Sequence, residues 1–154
     1  MSGPLVLGHF SRADLERIKA TVREAESRTS GEIRVKVVER CDEDLKGNLV
    51  QQALRDFERE GLHNTRDKTG VLVLVVLGEK RFRIIGDSGI HEKLPQSYWN
   101  DLARKLSILF VAGDFTGGIC RVISDIGKEL ASFFPHRADD KNELSDDVII
   151  GGRR

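Results

Sequence analysis

The chain of 154 residues is long enough for one domain with a hydrophobic core and too short for two of ordinary size. Its 25 Lys and Arg balance 25 Asp and Glu, so no bulk charge draws it to a polyanion and general nucleic-acid binding is disfavoured. With 39% hydrophobic and 32% charged residues the composition is too apolar for disorder, and the longest apolar run, Val71 to Leu77, falls far short of the ~20 residues a membrane-spanning helix needs.

Met1 to Phe10 carries no cationic stretch leading into an apolar one, so no secretory signal is read there and no direct membrane insertion is expected. Cys41 and Cys120 lie far apart with no C-x-x-C spacing, which points to reduced, unlinked thiols and a cytoplasmic location.

Taken in chain order, Ser11 is an N-cap with Asp14 three residues on and Phe10 placed to staple onto Leu15. Leu15, Ile18, Val22 and Ala25 form the buried stripe of a first helix that Ser30-Gly31 stops. Glu32 to Val38 alternates apolar Ile33, Val35 and Val37 with charged residues, which reads as a lateral strand with one solvated face. Leu45 to Glu60 returns to helical spacing with Leu49, Val50, Ala53, Leu54 and Phe57, and Gly61 closes it.

After the polar loop from His63 to Gly70, Val71 to Leu77 is apolar on both faces and β-branched, hence the centre of the sheet. Gly78-Glu79 suits a type II′ hairpin, and Arg81 to Ile85 is the returning antiparallel strand, ended by Gly86-Asp87-Ser88-Gly89. Pro95 opens a third helix carrying Tyr98, Trp99, Leu102, Leu106, Leu109 and Phe110, and Gly113 closes it. Asp114 or Thr116 caps a fourth, with Ile119, Val122, Ile123, Ile126, Leu130 and Phe133 on its buried face and Gly127 as a slight weakness. The domain thus runs over residues 10–134, and 135–154 is a polar tail that Val148-Ile149-Ile150 could dock. The order α-β-α-β-β-α-α makes an α/β/α sandwich with a small mixed sheet.

The helix-containing crossover between the first two strands favours parallel pairing, and the hairpin returns the third strand to the starting ends of the other two. Glu32, Asp67 and Asp87 should therefore converge on one sheet edge, with Asn64 able to join them. Carboxylates at strand ends, with nearby carbonyls and the permissive Gly86 and Gly89, suit a hard cation such as Ca²⁺ or Mg²⁺. The bland reading makes the same acids turn caps paired to Arg34, Arg66 or Lys68.

Other motifs fail on inspection. Gly86-Asp87-Ser88-Gly89 has Ile90 where a serine-protease loop continues with glycine, and the histidines His9, His63, His91 and His136 offer no context for a triad base. Asp42-Glu43-Asp44-Leu45-Lys46-Gly47 starts like a calcium loop but puts Lys46 at a ligand position and Ala53 where a bidentate Glu belongs. No GxxxxGK[ST], GxGxxG or HExxH is present, so no nucleotide or organic cofactor is expected.

Ser30-Gly31-Glu32-Ile33, His63-Asn64-Thr65 followed by Gly70-Val71-Leu72-Val73, Gly86-Asp87-Ser88-Gly89-Ile90 and Gly113-Asp114-Phe115 together resemble the TPM domain. That family includes thylakoid-lumen proteins of photosystem II repair, a levamisole-receptor auxiliary protein and short bacterial members, whose endings Phe134-Pro135, Asn142-Glu143-Leu144 and Asp146-Asp147 resemble. The resemblance implies an α/β/α sandwich and, for some members, divalent-cation binding or a weak metal-dependent phosphatase activity. Carried onto this chain it names Glu32, Asp67 and Asp87 as cation-site positions; no catalytic residue follows from it. The expected function is a cytoplasmic interaction module with an unidentified protein partner and a cation at its acidic edge, the alternative being the phosphatase.

Overall fold

The computed structural model describes residues 10–136 and 148–150. The elements are α1 (Arg12–Glu26), β1 (Glu32–Val38), α2 (Leu49–Arg59), β2 (Gly70–Val76), β3 (Arg81–Gly86), α3 (Ser88–His91), α4 (Gln96–Val111), α5 (Phe115–Phe133) and β4 (Ile149–Ile150). They form an α/β/α sandwich around a mixed sheet ordered β3-β2-β1-β4. β1 and β2 are parallel, with Glu32 opposite Gly70 and Val38 opposite Val76. β2 and β3 are antiparallel, with Val71 opposite Gly86 and Val76 opposite Arg81. No helix among the described residues is long and apolar enough to cross a membrane.

Alternation along the strands divides the core. Ile33, Val35 and Val37 of β1, Val71, Val73 and Val75 of β2, and Ile84 of β3 meet α1, α4 and α5 through Ile18, Val22, Trp99, Leu106, Ile119, Ile123 and Ile126. On the other face Leu72, Leu74, Val76 and Ile85 meet α2 through Ala53 and Phe57. β2 is buried at every position, as its uninterrupted apolar run requires. Ser11 and Asp14 form the expected capping box, and Phe10 is buried behind it. Asp114 caps α5, its side chain accepting from Gly117 N–H.

Several expectations need correction. β1 is not lateral: β4 pairs with it at Lys36 and Val37, and all seven of its positions are buried, with Asp56 of α2 and Glu60 at its C-cap compensating Lys36 beneath. The docking triplet therefore does contribute a strand, while residues 137–147 and 151–154 of the expected tail lie outside the described residues. The first helix stops at Glu26, four residues before Ser30, with Ser27 as its C-cap. The second begins at Leu49 rather than Leu45, because Lys46 and Gly47 both adopt left-handed φ and Asn48 supplies the cap. Val50 and Leu54 are exposed, and polar Gln52 and Asp56 take buried positions on that helix instead. The hairpin is not type II′. Residues Leu77–Glu79 form a single 3₁₀ turn, and the left-handed residue is Lys80, at φ 51°. Gly78 is needed for room rather than for φ, since a Cβ there would sit 2.5 Å from the carbonyl oxygen of Glu39. The segment after β3 adds the short α3, and Pro95 caps α4 from outside.

Candidate functional site

The acidic edge is built by backbone hydrogen bonds at the starting ends of β1 and β2. Glu32 N–H donates to Thr69 O at 3.1 Å, Asp87 N–H donates to Gly70 O at 2.9 Å, and Gly89 N–H donates to Lys68 O at 2.9 Å. The parallel crossover and the returning hairpin thus bring together the strand ends bearing Glu32, Asp67 and Asp87. The loop entering β2 is held by Thr65, whose Oγ1 accepts from Thr69 N–H at 3.1 Å, and by Lys68, whose Nζ donates to His63 O at 2.8 Å. Lys68 is held at φ 57°, and the carbonyls of Asp67 and Lys68 press so closely on Gly89 that no Cβ fits there.

The three side chains differ in their surroundings. Asp87 caps α3, its Oδ1 accepting from Ser88 N–H at 2.7 Å, while Oδ2 is buried with no hydrogen-bond partner. Asp67 is open to solvent, its carboxylate 3.7 Å from the Arg66 guanidinium. Glu32 is buried. Asn64 is exposed at the end of a 3₁₀ turn, Leu62–Asn64, whose Leu62 is buried in the core. Among the described residues no group of three or more His, Cys, Asp or Glu side chains gathers as a metal would require. What suits a hard cation is narrower: one orphaned carboxylate oxygen next to a loop that crowds its backbone carbonyls together.

A second charged centre lies under α2. Lys36 Nζ is 2.8 Å from Asp56 Oδ1 and 3.1 Å from Glu60 Oε2, and Arg34 Nη1 is 3.6 Å from Glu60 Oε1. Gln52 donates to Asp56 Oδ2 at 2.9 Å and accepts from Asp42 N–H at 2.6 Å. Arg55 closes the outer rim, forked onto Asp44 at 2.8 and 2.7 Å and reaching Asp42 at 2.9 Å. The fork holds the Asp44 carboxyl below its usual range. Burial raises Asp42, but hydrogen bonds from Arg55 and the Arg59 charge outweigh it and leave that carboxyl lowered too. This network was not anticipated. The signal was there: Gln52, Asp56 and Glu60 stand at i, i+4 and i+8, one polar stripe facing the two cations that alternate along β1.

With this geometry in place, comparison with known proteins decides the family. The profile described as TPM domain matches residues 7–129. The chain belongs to the TPM domain family. Among solved structures it is similar to the BA42 protein of the psychrophilic bacterium Bizionia argentinensis, at 30% identity and a TM-score of 0.83, covering 92% of this chain and 95% of that one. It shares the fold of the N-terminal domain of a P. gingivalis protein at 18% identity and a TM-score of 0.62, covering 84% of this chain and 83% of that one. No curated protein matches its sequence.

Within this TPM domain both cysteines are free and buried, and they sit on opposite faces of the sheet. Burial raises the Cys41 thiol, with the Glu79 charge adding to it, so the thiol stays protonated and unreactive at neutral pH. Tyr98 and Trp99 stack edge to face, centroids 5.0 Å apart, with Trp99 fully buried, as the helical stripe predicts.

Proposed function

We propose that this TPM domain is a cytoplasmic interaction module whose acidic edge takes a divalent cation, Ca²⁺ or Mg²⁺, and whose surface meets a protein partner. The observation that carries the cation reading is Asp87 Oδ2, a carboxylate oxygen buried without a donor. Such an oxygen forfeits its hydration with no return, and a cation supplies the missing interaction. Hard ions accept carbonyl oxygens and water along with carboxylates, so Asp87 anchors the ion, Asp67 offers its side chain and carbonyl, and Glu32 adds negative charge from the neighbouring strand end.

A ligand that prefers the folded state raises the melting temperature in step with its concentration. The expected result is a rise with millimolar CaCl₂ or MgCl₂ that Asp87→Asn largely removes, while the apo variant melts at the same temperature as the parent or slightly above. If instead Asp87 is an ordinary turn residue, titration calorimetry gives no heat and the melting temperature stays put. A second reading is weak metal-dependent phosphatase activity, favoured by Arg66 beside Asp67, a guanidinium on the same loop suited to a phosphate. The ion would polarise a phosphoryl oxygen. Metal-dependent turnover of a generic phosphomonoester that disappears in Asp87→Asn supports it; turnover that survives the substitution comes from a contaminant.

A further inference from the structure

The two faces of the sheet are covered unequally. α1, α4 and α5 meet one face, whereas among the described residues α2 is the one α-helix that meets the other. A helix is about 10 Å across and neighbouring strands lie about 4.8 Å apart, so α2 roofs only part of the sheet β3-β2-β1-β4. Arg81 Nη1 donates to Gly47 O at 2.8 Å, which sets the N-terminus of α2 beside the start of β3, and Phe57 near the end of α2 shares a cluster with Ile85 near the end of β3. Helix and strand therefore run the same way, side by side.

The helix period sorts the flanks of α2. Ala53 and Phe57 point into the sheet, and Gln52 and Asp56 lean toward β1, where Asp56 meets Lys36. At about 3.6 residues per turn, Val50, Leu54 and Glu58 then line the opposite flank, over β3. Val50 is 42% and Leu54 50% exposed, and Glu58 is exposed with no hydrogen-bond or ion-pair partner among the described residues. Arg83 stands opposite Leu74 in the register and so projects to the α2 side. Two strand residues advance about as far as four or five helical ones, which brings Arg83 level with the turn joining Val50 to Leu54. It is half-buried, has no hydrogen-bond or ion-pair partner among the described residues, and holds its Nε out of water without an acceptor. One flank thus carries two bare apolar side chains, an unmatched cation before Leu54 and an unmatched anion one turn after it.

We propose that this flank receives a second copy of the chain, α2 lying antiparallel against α2 about Leu54, so that Val50 and Leu54 are covered and the Glu58 carboxylate of each copy reaches the Arg83 guanidinium of the other. In a twofold pairing the residue on the axis meets its own counterpart and every other contact forms twice. With Leu54 on the axis, Glu58 of the second copy comes level with Val50, the turn beside which Arg83 stands, and supplies the acceptor that its buried Nε lacks. A parallel pairing sets Glu58 against Glu58 and leaves Arg83 unmatched. Formal net charge is +0, so no bulk repulsion holds two copies apart. The contact is made by side chains and uses no strand edge, and it rests neither on the cation nor on a partner of another kind.

Analytical ultracentrifugation of the full chain in EDTA, from micromolar to millimolar, tests this independently of the ion. The average mass should climb from that of one chain toward that of two. Leu54→Ser and Glu58→Arg, both at exposed positions, should each weaken association at least tenfold without lowering the melting temperature of the dilute protein. Arg83→Glu should weaken it as much, and combining Glu58→Arg with Arg83→Glu should restore most of the loss, because the reversed charges again meet across the axis. If Arg83→Glu does not fold on its own, the two exposed variants still decide the matter. The proposal is overturned if the chain keeps the mass of a single copy at every concentration, which leaves the flank to a different partner. It is overturned equally if Leu54→Ser or Glu58→Arg associates as well as the parent, or if the folded reversed pair associates no better than its single variants. Absence of the dimer with a Ca²⁺-dependent rise in melting temperature intact removes only this inference; loss of that rise with the dimer intact removes only the cation.

Discussion

At the scale of single residues the most consequential pair is Lys36 and Asp56, an ammonium and a carboxylate 2.8 Å apart and almost wholly out of water. A buried pair of this kind owes little net stability to its own attraction, because desolvation offsets it, but losing one member strands the other. Asp56→Ala should therefore lower the unfolding free energy by about 3–5 kcal/mol, leaving Lys36 with Glu60, half-buried and 3.1 Å away, as its carboxylate neighbour among the described residues. The double variant Lys36→Met, Asp56→Leu should regain most of that loss, since an apolar pair of similar volume needs no compensation. Urea denaturation at neutral pH measures both. A single variant losing less than about 1 kcal/mol, the range of exposed pairs, would mean that water reaches Lys36. The same residues explain why β1 reads in the sequence as a lateral strand. Arg34 and Lys36 alternate with valines as they would on a half-solvated strand, and only the acidic stripe of α2, far along the chain, turns that face into an interior one.

Among the elements, α1 and α5 show how a local preference yields to packing. They run side by side in the same direction, Thr21 Oγ1 donating to Cys120 Sγ at 3.3 Å and Ala25 lying against Gly127 further on. Their C-terminal ends are tied as well, Ser30 N–H donating to Phe134 O at 2.9 Å. Helix propensity alone makes Gly127→Ala favourable by about 1 kcal/mol. Its Cβ would stand 2.7 Å from Ala25 Cβ, a contact neither rigid side chain can relieve without separating the helices, and overpacking of this kind costs about 1–3 kcal/mol. Packing should win, so Gly127→Ala is expected to lower the melting temperature, and Ala25→Gly in the same chain should restore part of it. A rise in the single variant, read by thermal denaturation, would show that the interface has slack. The sequence marks Gly127 only as a weak point of a helix, because the partner that makes it necessary lies on another helix.

For the molecule as a whole, stability centres on β2, flanked by β3 and β1 and covered on both faces by helices. Val73 is fully buried against the larger core. Val73→Asp places an unpaired carboxylate there, with a cost that approaches the ~5–15 kcal/mol total stability of a small domain. Circular dichroism should show a chain unfolded or nearly so at 25 °C; a folded variant with an unchanged transition would place this strand at the surface. That central strand, most of the stripes of α1, α4 and α5, the Ser11 and Asp114 caps and the order of the main elements were legible in the sequence, because periodicity and capping depend on neighbours three or four residues apart; the α2 stripe was not, Val50 and Leu54 being exposed, nor was the place of Phe133, which is exposed on α5. Also legible was the backbone approach of the starts of β1 and β2 to the finish of β3, since a long crossover and a tight hairpin leave the chain few other routes. The tertiary structure alone decided which way each side chain faced and what it met: Asp87 Oδ2 orphaned while Asp67 stays open to solvent, Lys36 sealed under α2, and Gly78 and Gly127 kept bare by distant atoms. Those outcomes depend on the summed packing of segments far apart in the chain, and no local pattern records that sum.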